Sequence, residues 1–558
     1  MTGSGLKLPL PDWETLSLAE QVAQMVVVRA SGYLFDHQIR YPVWEPLEAT
    51  LQHWLQDLGV GGVILLGGSA GELALRSQQL REWAKISPLL AADIEEGVGQ
   101  RFAGATWFPP PMSLGAIARQ DLHQAQAYAE QLGGFTSQEA LAIGLNWVLA
   151  PVVDVNNNPD NPVINVRAFG ETPAVVSQLA TAFIQGAQRY PVLTTAKHFP
   201  GHGDTATDSH LELPVLPYAE ERLAQIELPP FQAAIAAGVD AVMSAHLQIP
   251  AWDAEYPATL SHRILTQALR QQLGFEGLIV TDALVMGAIT NRYGPNEAAV
   301  LAVEAGVDIV LMPVDPEGAI QAICEAVENG RIALERIQAS IERIWRAKIK
   351  VSSSLPDTAS QPHVWENLPP PPLQLNQLAQ PEAIATATHI LRDSMQVGVQ
   401  SPLIPVEHSR NLIVVDDALS CQFLDSHTPA IALPRQLGYN LLVVDNHTPA
   451  APLDVNSEIS QPTLLQLFIR GNPFRSSANL TKIAKNWFQA LVKAKNLQAL
   501  IIYGSPYVLE QFLPDLPVDI PYVFSYGQMP AAQAIALEAL FAPLALKQAT
   551  PTDKQFTD

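Results

Sequence analysis

Residues 197–210 read KHFPGHGDTATDSH, which gathers three histidines, a lysine and two aspartates among the turn formers Pro200, Gly201 and Gly203. Proton transfer and polar recognition both need titratable groups on a constrained backbone. Asp208 and His210 stand two apart, and a carboxylate beside an imidazole orients the ring and favours its protonated form. A histidine that first donates and later accepts a proton needs its pKa near the working pH. Farther along, Asp282 closes the apolar stretch GLIVTD. A carboxylate there is a nucleophile, a metal ligand or a structural acceptor. One carboxylate with one acid/base group is the minimum for retaining glycoside hydrolysis, in which the nucleophile attacks the anomeric carbon while the acid protonates the leaving oxygen. A second carboxylate usually serves as the acid; here the His210–Asp208 pair takes that place.

A metal centre is the rival chemistry. His198, His202, Asp204, Asp208 and His210 offer nitrogen and oxygen ligands close together, but their spacing matches no strong zinc pattern such as HExxH. The reading therefore carries no metal and no cofactor. A purely structural account, a loop stapled by internal hydrogen bonds, explains His202 and Asp204 well and Lys197–His198 poorly, because that pair closes an apolar run.

Eight apolar, β-branched runs precede residue 320: 24–30, 60–68, 88–95, 145–155, 191–199, 239–247, 277–284 and 307–313. They are continuous rather than alternating, as parallel strands buried on both faces are. The segments between them, such as 121–144 and 173–190, carry helical periodicity. This alternation predicts an α/β fold whose main part is a (β/α)8 TIM-like barrel. Asp93, Asp154, Lys197, His198, His246 and Asp282 fall at or near the ends of runs, and the carboxyl ends of barrel strands form the active-site face. For Asp154 and His246 a structural role, capping a loop or satisfying buried backbone, reads equally well.

The chain has 558 residues, 48% of them hydrophobic, and a net charge of −23. That charge argues against nucleic acid, whose phosphates it would repel. Two cysteines, Cys324 and Cys421, make no disulfide framework. The first residues lack the apolar core of a signal peptide, and no apolar run reaches the ~18 residues of a membrane span. These features predict a cytoplasmic protein without a membrane span; oligomeric state is not legible. A barrel domain is expected over 1–350 and a Pro-rich linker over 351–380, with successive prolines at 369–372. A smaller α/β sandwich-type domain, without a dense titratable cluster, is expected over 381–558.

Taken together these motifs resemble glycoside hydrolase family three, in its β-N-acetylhexosaminidase branch. KHFPGHGDTATDSH matches the family's KH(F/S)PGHG and DSH pattern throughout. ADIEEGVGQRF is similar to its substrate-binding strand end, NPVINVRAFGETP to its arginine-bearing loop, and PATLSHRILTQALRQQLGFEGLIVTDALVMGAI to its nucleophile region. The resemblance covers about residues 15–350, and the tail is similar to the second domain of many members. It implies a barrel enzyme with Asp282 as the nucleophile and His210 as general acid/base with Asp208 as its dyad partner. Asp93, Arg101, Arg167, Lys197 and His198 would hold sugar hydroxyls. The DSH element implies an N-acetylglucosamine-containing substrate, such as peptidoglycan fragments. Two departures stand out: Ala283 follows Asp282 where many hexosaminidases carry a second Asp, and EEGVGQR replaces the common EGG. Still open are a β-glucosidase, a phosphorylase in which phosphate replaces water, a metal-dependent hydrolase and a non-catalytic sugar-binding protein.

Overall fold

The computed structural model describes residues 10–206, 213–352, 373–398, 402–406, 408–447, 461–471 and 477–541. The Asp208–His210 dyad, the prolines at 369–372 and the polar C-terminal tail lie outside the described residues. Each of the eight apolar runs supplies one strand: β1 (Val26–Ser31), β2 (Gly62–Leu66), β3 (Leu89–Ala92), β4 (Trp147–Val148), β5 (Leu193–Phe199), β6 (Ala241–Ser244), β7 (Leu278–Thr281) and β8 (Val310–Leu311). All pairings are parallel, in the order β7-β6-β5-β4-β3-β2-β1-β8. A parallel bridge between Val280 and Ile309 joins β7 to β8 and closes the barrel. Parallel closure aims every strand's carboxyl end at one pole, so residues scattered from 93 to 282 meet there.

Local signals start several of the helices that return the chain to the other pole. Ser17 and Ser69 each form a capping box with Glu20 and Glu72, satisfying otherwise orphaned N–H groups of the first turn. Asp121 and Asp315 cap the helices Leu122–Ala142 and Pro316–Glu328.

One strand is shorter than its apolar run suggests. The run 145–155 gives a regular strand only at Trp147–Val148. Pro151 has no N–H to donate and interrupts the ladder. Backbone bonds still carry the chain along β5, from Thr195 N to Ala150 O (2.9 Å) and from Val153 N to Lys197 O (2.8 Å). Asp154 therefore ends at the carboxyl pole although it is not in a strand.

At the opposite pole Asp308, just before β8, is fully buried. Its carboxylate accepts from Arg270 Nη2 (2.7 Å), Arg343 Nη1 (3.0 Å), Ser340 Oγ (2.6 Å) and the Ile279 amide (2.9 Å). It ties β7, β8 and the helices carrying those residues together. Asp308→Ala leaves the half-buried cations Arg270 and Arg343 and the buried Ser340 without their partner and is expected to destabilise the protein by ~3–5 kcal/mol. Denaturant unfolding measures this, and a loss under about 1 kcal/mol, within the range of an ordinary surface pair, would contradict the assignment.

The contacts divide the chain into two units. The first is Met1–Phe108, Asp121–Asn158 and Arg167–Ile384; the second is Pro109–Gln120, Pro159–Val166 and Ala385–Asp558. The second unit holds a six-stranded sheet: β9 (Gln396–Gly398), β10 (Arg410–Val414), β11 (Asn440–Val444), β12 (Thr463–Ile469), β13 (Leu497–Gly504) and β14 (Tyr522–Ser525). Its order is β11-β10-β12-β13-β14-β9, parallel except for β9, which runs antiparallel to β14. Successive residues face opposite layers. Leu412, Val414, Leu465 and Leu467 pack with Phe488 and Leu491 of the helix Ser477–Ala494. Ile413, Val415, Leu464 and Phe468 pack with Ile431 and with Ala536 and Leu537 of the helix Pro530–Leu540. The unit is one mixed sheet between helices. Among the described residues no helix is long and apolar enough to cross a membrane.

Candidate active site

The carboxyl pole of the barrel is organised around a buried charge network. Lys197 Nζ lies 2.8 Å from Asp93 Oδ1 and 2.7 Å from Glu95 Oε1. Arg167 grips Glu95 with two bonds, Nε to Oε2 at 2.9 Å and Nη2 to Oε1 at 2.8 Å. Glu95 and Lys197 are almost wholly buried, whereas the Asp93 side chain is 36% exposed. Burial alone would push the Glu95 carboxyl up; the charges and hydrogen bonds of Arg167 and Lys197 overcome it and hold the group well below the usual carboxylate range. Burial likewise opposes the Lys197 charge, but Asp93 and Glu95 together keep its pKa above the ordinary lysine value. Asp93 is the member of the network with a carboxylate open to a ligand. Arg101, expected to hold sugar hydroxyls, donates its Nε to the Asp93 carbonyl at 3.0 Å and so fixes the backbone at the end of β3.

Asp154 organises the next layer. It accepts from His198 Nδ1 (2.7 Å), the His198 amide (3.2 Å) and the His202 amide (2.7 Å). Burial would raise its pKa, but its interactions with His198 and with His202 bring it below the usual value. With Nδ1–H donated to Asp154, His198 Nε2 is left to accept, and Arg167 Nη2 stands 3.5 Å from it. Lys197 and His198 are sequence neighbours, which in a regular strand face opposite sides. The β5–β6 register shifts between Lys197 and Phe199, an irregularity of the kind that re-aims a side chain. The peptides Lys197–His198 and Phe199–Pro200 are both cis.

The glycines of the FPGHGD stretch have identifiable causes. A Cβ on Gly201, whose φ is +136°, would meet the Glu227 side chain at 2.8 Å, and one on Gly203 would sit 1.8 Å from the Val155 carbonyl oxygen. His202 packs between them, with Nδ1 2.8 Å from Thr205 Oγ1. Burial lowers its pKa to about 4, so it is neutral at physiological pH. His202 and Asp204 thus serve the loop's internal structure, Asp204 through Arg222 at 2.9 Å. Among the described residues no group of three or more His, Cys, Asp and Glu is arranged to hold a metal ion.

Asp282 directly follows β7 at the same pole. Its Oδ1 accepts from the Ala283 amide at 2.7 Å and its own amide bonds to Ser244 O at 3.2 Å, which fixes the carboxylate against the ends of β6 and β7. It lies near enough for its charge to act on His202. His246 is fully buried, with Nδ1 2.8 Å from Thr259 Oγ1 and Nε2 3.1 Å from the Ala283 carbonyl. A carbonyl can only accept, so Nε2 carries the proton. His246 thereby pins the backbone next to Asp282, and both it and Asp154 have the structural role read for them as an alternative.

The structure brings Asp93, Arg167, Lys197 and His198 into one connected network and sets Asp282 at the same pole. Sequence reasoning missed three participants: Glu95, Arg222 and Glu227. Glu95 lies inside EEGVGQR, where a carboxylate two residues beyond a strand-end Asp could have been flagged as a second partner for nearby cations.

Comparison with known proteins bears on this geometry. Residues 17–347 match the glycosyl hydrolase family 3 N-terminal domain and residues 404–542 the bacterial glycosyl hydrolase family 3 C-terminal domain. The chain belongs to glycosyl hydrolase family 3. The enzyme reading of the sequence stands on that membership. Among relatives of this family 3 chain, "Beta-hexosaminidase A" of Pseudoalteromonas piscicida is 34% identical over 339 residues, covering 55% of this chain and 56% of the relative. The "Beta-N-acetylglucosaminidase/beta-glucosidase" of Cellulomonas fimi is 29% identical over 371 residues, covering 64% of this chain and 63% of the relative. The chain thus spans less than two thirds of these two relatives. A solved family 3 β-N-acetylglucosaminidase from Paenibacillus sp. str. FPU-7 superposes with a TM-score of 0.74 at 30% identity, covering 95% of this chain and 98% of that one.

Proposed function

We propose that this family 3 chain is a retaining exo-β-N-acetylglucosaminidase that removes terminal N-acetylglucosamine from glycoconjugates such as peptidoglycan fragments. The observation that carries the reading is the carboxyl pole itself. A fixed carboxylate, Asp282, and a ligand-facing carboxylate, Asp93, share that pole with the cations Lys197 and Arg167. The similarity to the Paenibacillus enzyme, which covers 98% of that chain, supports the substrate class.

In this mechanism the sugar hydroxyls bond to Asp93, with Lys197, His198, Arg167 and Arg101 shaping their surroundings. An Asp282 carboxylate oxygen attacks the anomeric carbon as His210, charged and oriented by Asp208, gives its proton to the departing oxygen. The aglycone leaves and a glycosyl ester remains on Asp282. His210, now neutral, takes a proton from water, which attacks the same carbon and breaks the ester. Two displacements restore the β configuration.

The acid role of His210 is tested with a series of aryl β-N-acetylglucosaminides of differing leaving-group acidity. His210→Ala is expected to lose ~10²–10⁴-fold on poor leaving groups, the usual contribution of general acid catalysis, and little on the most activated. An equal loss across the series would overturn it. The double activity in the name of the Cellulomonas relative favours one second reading, a β-glucosidase with the same nucleophile.

A further inference from the structure

The loop after β1, residues 32–47, is fastened down at several points and still shows aromatic rings to solvent. Arg76 of the helix Ala70–Trp83 donates Nη2 to Tyr33 O at 2.7 Å and to Leu34 O at 2.9 Å. The Glu48 amide bonds Asp36 Oδ1 at 2.9 Å. Arg29, within β1, reaches Glu45 Oε1 with Nε at 3.3 Å and Nη2 at 3.0 Å, and Glu45 is buried. The Arg29 guanidinium carbon lies 5.2 Å from the centroid of the Tyr41 ring and 5.3 Å from that of Trp44, and the two rings stack with centroids 6.1 Å apart. An arginine fixed by a buried carboxylate thus holds two rings by cation–π attraction. Trp44 is half-buried, yet Tyr41 stays 45% exposed.

Strand order places these rings at the active-site pole. Around the closed barrel the succession β7-β8-β1-β2-β3 makes β1 the midpoint between Asp282, after β7, and Asp93, after β3. Alternation sets the side they stand on. The Gly32 amide continues the ladder to Leu66 O at 2.9 Å. A Cβ on Gly32 would come 3.2 Å from Leu73 Cδ1, on a helix that packs outside the barrel. Successive strand residues face opposite sides, so Ser31 and, two residues earlier, Arg29 face the barrel axis. Arg29 therefore gathers Tyr41 and Trp44 on the inner side of the pole. The network of Asp93, Glu95, Arg167, Lys197 and His198 comes from β5 and the segments after β3 and β4, which leaves the β1 loop as a separate part of the rim.

From this geometry we infer that Tyr41, backed by Arg29 and Trp44, is a binding platform for a sugar on the aglycone side of the cleaved bond. The inference rests on the exo-glycosidase reading proposed above, in which the network holds the terminal sugar and the rest of the substrate passes outward over the rim. One face of a pyranose is made of C–H bonds and is apolar, while its hydroxyls point out from the edge. Such a face packs on an aromatic ring, whose π surface carries partial negative charge, and ligand sites are commonly lined with aromatic side chains. Because Arg29 and Glu45 already hold the ring, little ordering is lost on binding. A ring that served only the core would be buried, as Trp147 is.

The experiment measures kcat/KM for N,N′-diacetylchitobiose, whose aglycone is a sugar, and for N-acetyl-β-glucosaminyl fluoride, which has no aglycone ring. Wild type, Tyr41→Ala, Tyr41→Phe and Trp44→Ala are compared. Both substrates report the first displacement on the same glycone, so the ratio of chitobiose to fluoride isolates the aglycone. Tyr41→Ala is expected to lower that ratio roughly 10-fold, the scale of losing one well-packed aromatic anchor. Trp44→Ala should lower it as well, and Tyr41→Phe, which keeps the ring, should stay near wild type. A merely structural role would slow both substrates together and leave the ratio unmoved. An unmoved ratio in both alanine variants overturns the inference, and so does a drop in Tyr41→Phe as deep as in Tyr41→Ala. Cellobiose and β-glucosyl fluoride are run alongside. If wild type prefers that pair, the sugar assignment fails and the same ratio, taken on glucosides, decides on Tyr41. If wild type cleaves neither fluoride, the glycosidase reading fails and this inference falls with it.

Discussion

Asp282→Asn is expected to lower kcat by on the order of 10⁴–10⁶-fold, the scale seen when a covalent nucleophile or its partner is removed, while leaving the fold intact. The substitution keeps the shape of the side chain and an oxygen to accept the Ala283 amide now held at 2.7 Å. It removes the negative charge that, in the proposed mechanism, forms a bond to the anomeric carbon. Among the described residues, two other carboxylates at this pole are already engaged. Asp93 is tied to Lys197 at 2.8 Å, and Asp154 is fully buried beneath His198. Two measurements separate loss of the nucleophile from loss of binding. KM or ligand affinity should stay within a few-fold. With Asp282→Gly, added azide should restore turnover and yield the α-glycosyl azide, because a single displacement inverts the centre. Residual activity above a hundredth of wild type in purified Asp282→Asn would count against the assignment.

The second large effect lies in stability. Glu95→Gln removes the negative charge shared by Arg167 and Lys197, of which Lys197 is buried and Arg167 largely so. Breaking a buried ion pair from one side typically costs ~3–5 kcal/mol, and this carboxylate has two partners. The same change should raise KM several-fold, because Lys197 also holds Asp93. The pH dependence follows from the directions of the shifts. Glu95 is depressed in the folded protein, so its contribution is full above the unfolded carboxyl pKa of ~4.3 and is lost as pH falls through the folded value, well below that. Lys197 is raised, so its contribution is full below ~10.4 and is lost as pH rises through its folded value. The network is therefore at full strength from about pH 5 to pH 10. The stability difference between wild type and Glu95→Gln, read by denaturant unfolding, should be constant across that window and shrink below about pH 4. A difference that instead grows on acidification would contradict the charge assignment.

The barrel was legible because parallel strands buried on both faces are written as continuous apolar runs, and all eight runs hold a strand. The strand ends were legible because a titratable residue after such a run has few other places to be. The details that escaped depend on local chemistry or on distance. Pro151 cut β4 to Trp147–Val148. The edge strand β9 is three residues, Gln396–Gly398, too short to carry a period, and its antiparallel pairing with β14 joins segments more than a hundred residues apart. Glu95 was visible only as part of a departure from a motif; its partners Arg167 and Lys197 lie far along the chain. Arg222 reads in sequence as one charge on the polar face of a short helix, and only folding places Asp204, Tyr218 and Glu227 around it. Motif chemistry is concentrated in sequence, whereas the groups that hold it in position are dispersed.

The chemistry at Asp282 and the identity of the sugar are two halves of one claim. Both are tested by following hydrolysis of an aryl β-N-acetylglucosaminide and the matching aryl β-glucoside in phosphate-free buffer, with wild type and Asp282→Asn in parallel. Wild type is expected to turn over the N-acetylglucosaminide and little or none of the glucoside, and the variant to lose turnover. Preference for the glucoside, or turnover that survives in Asp282→Asn, would contradict it.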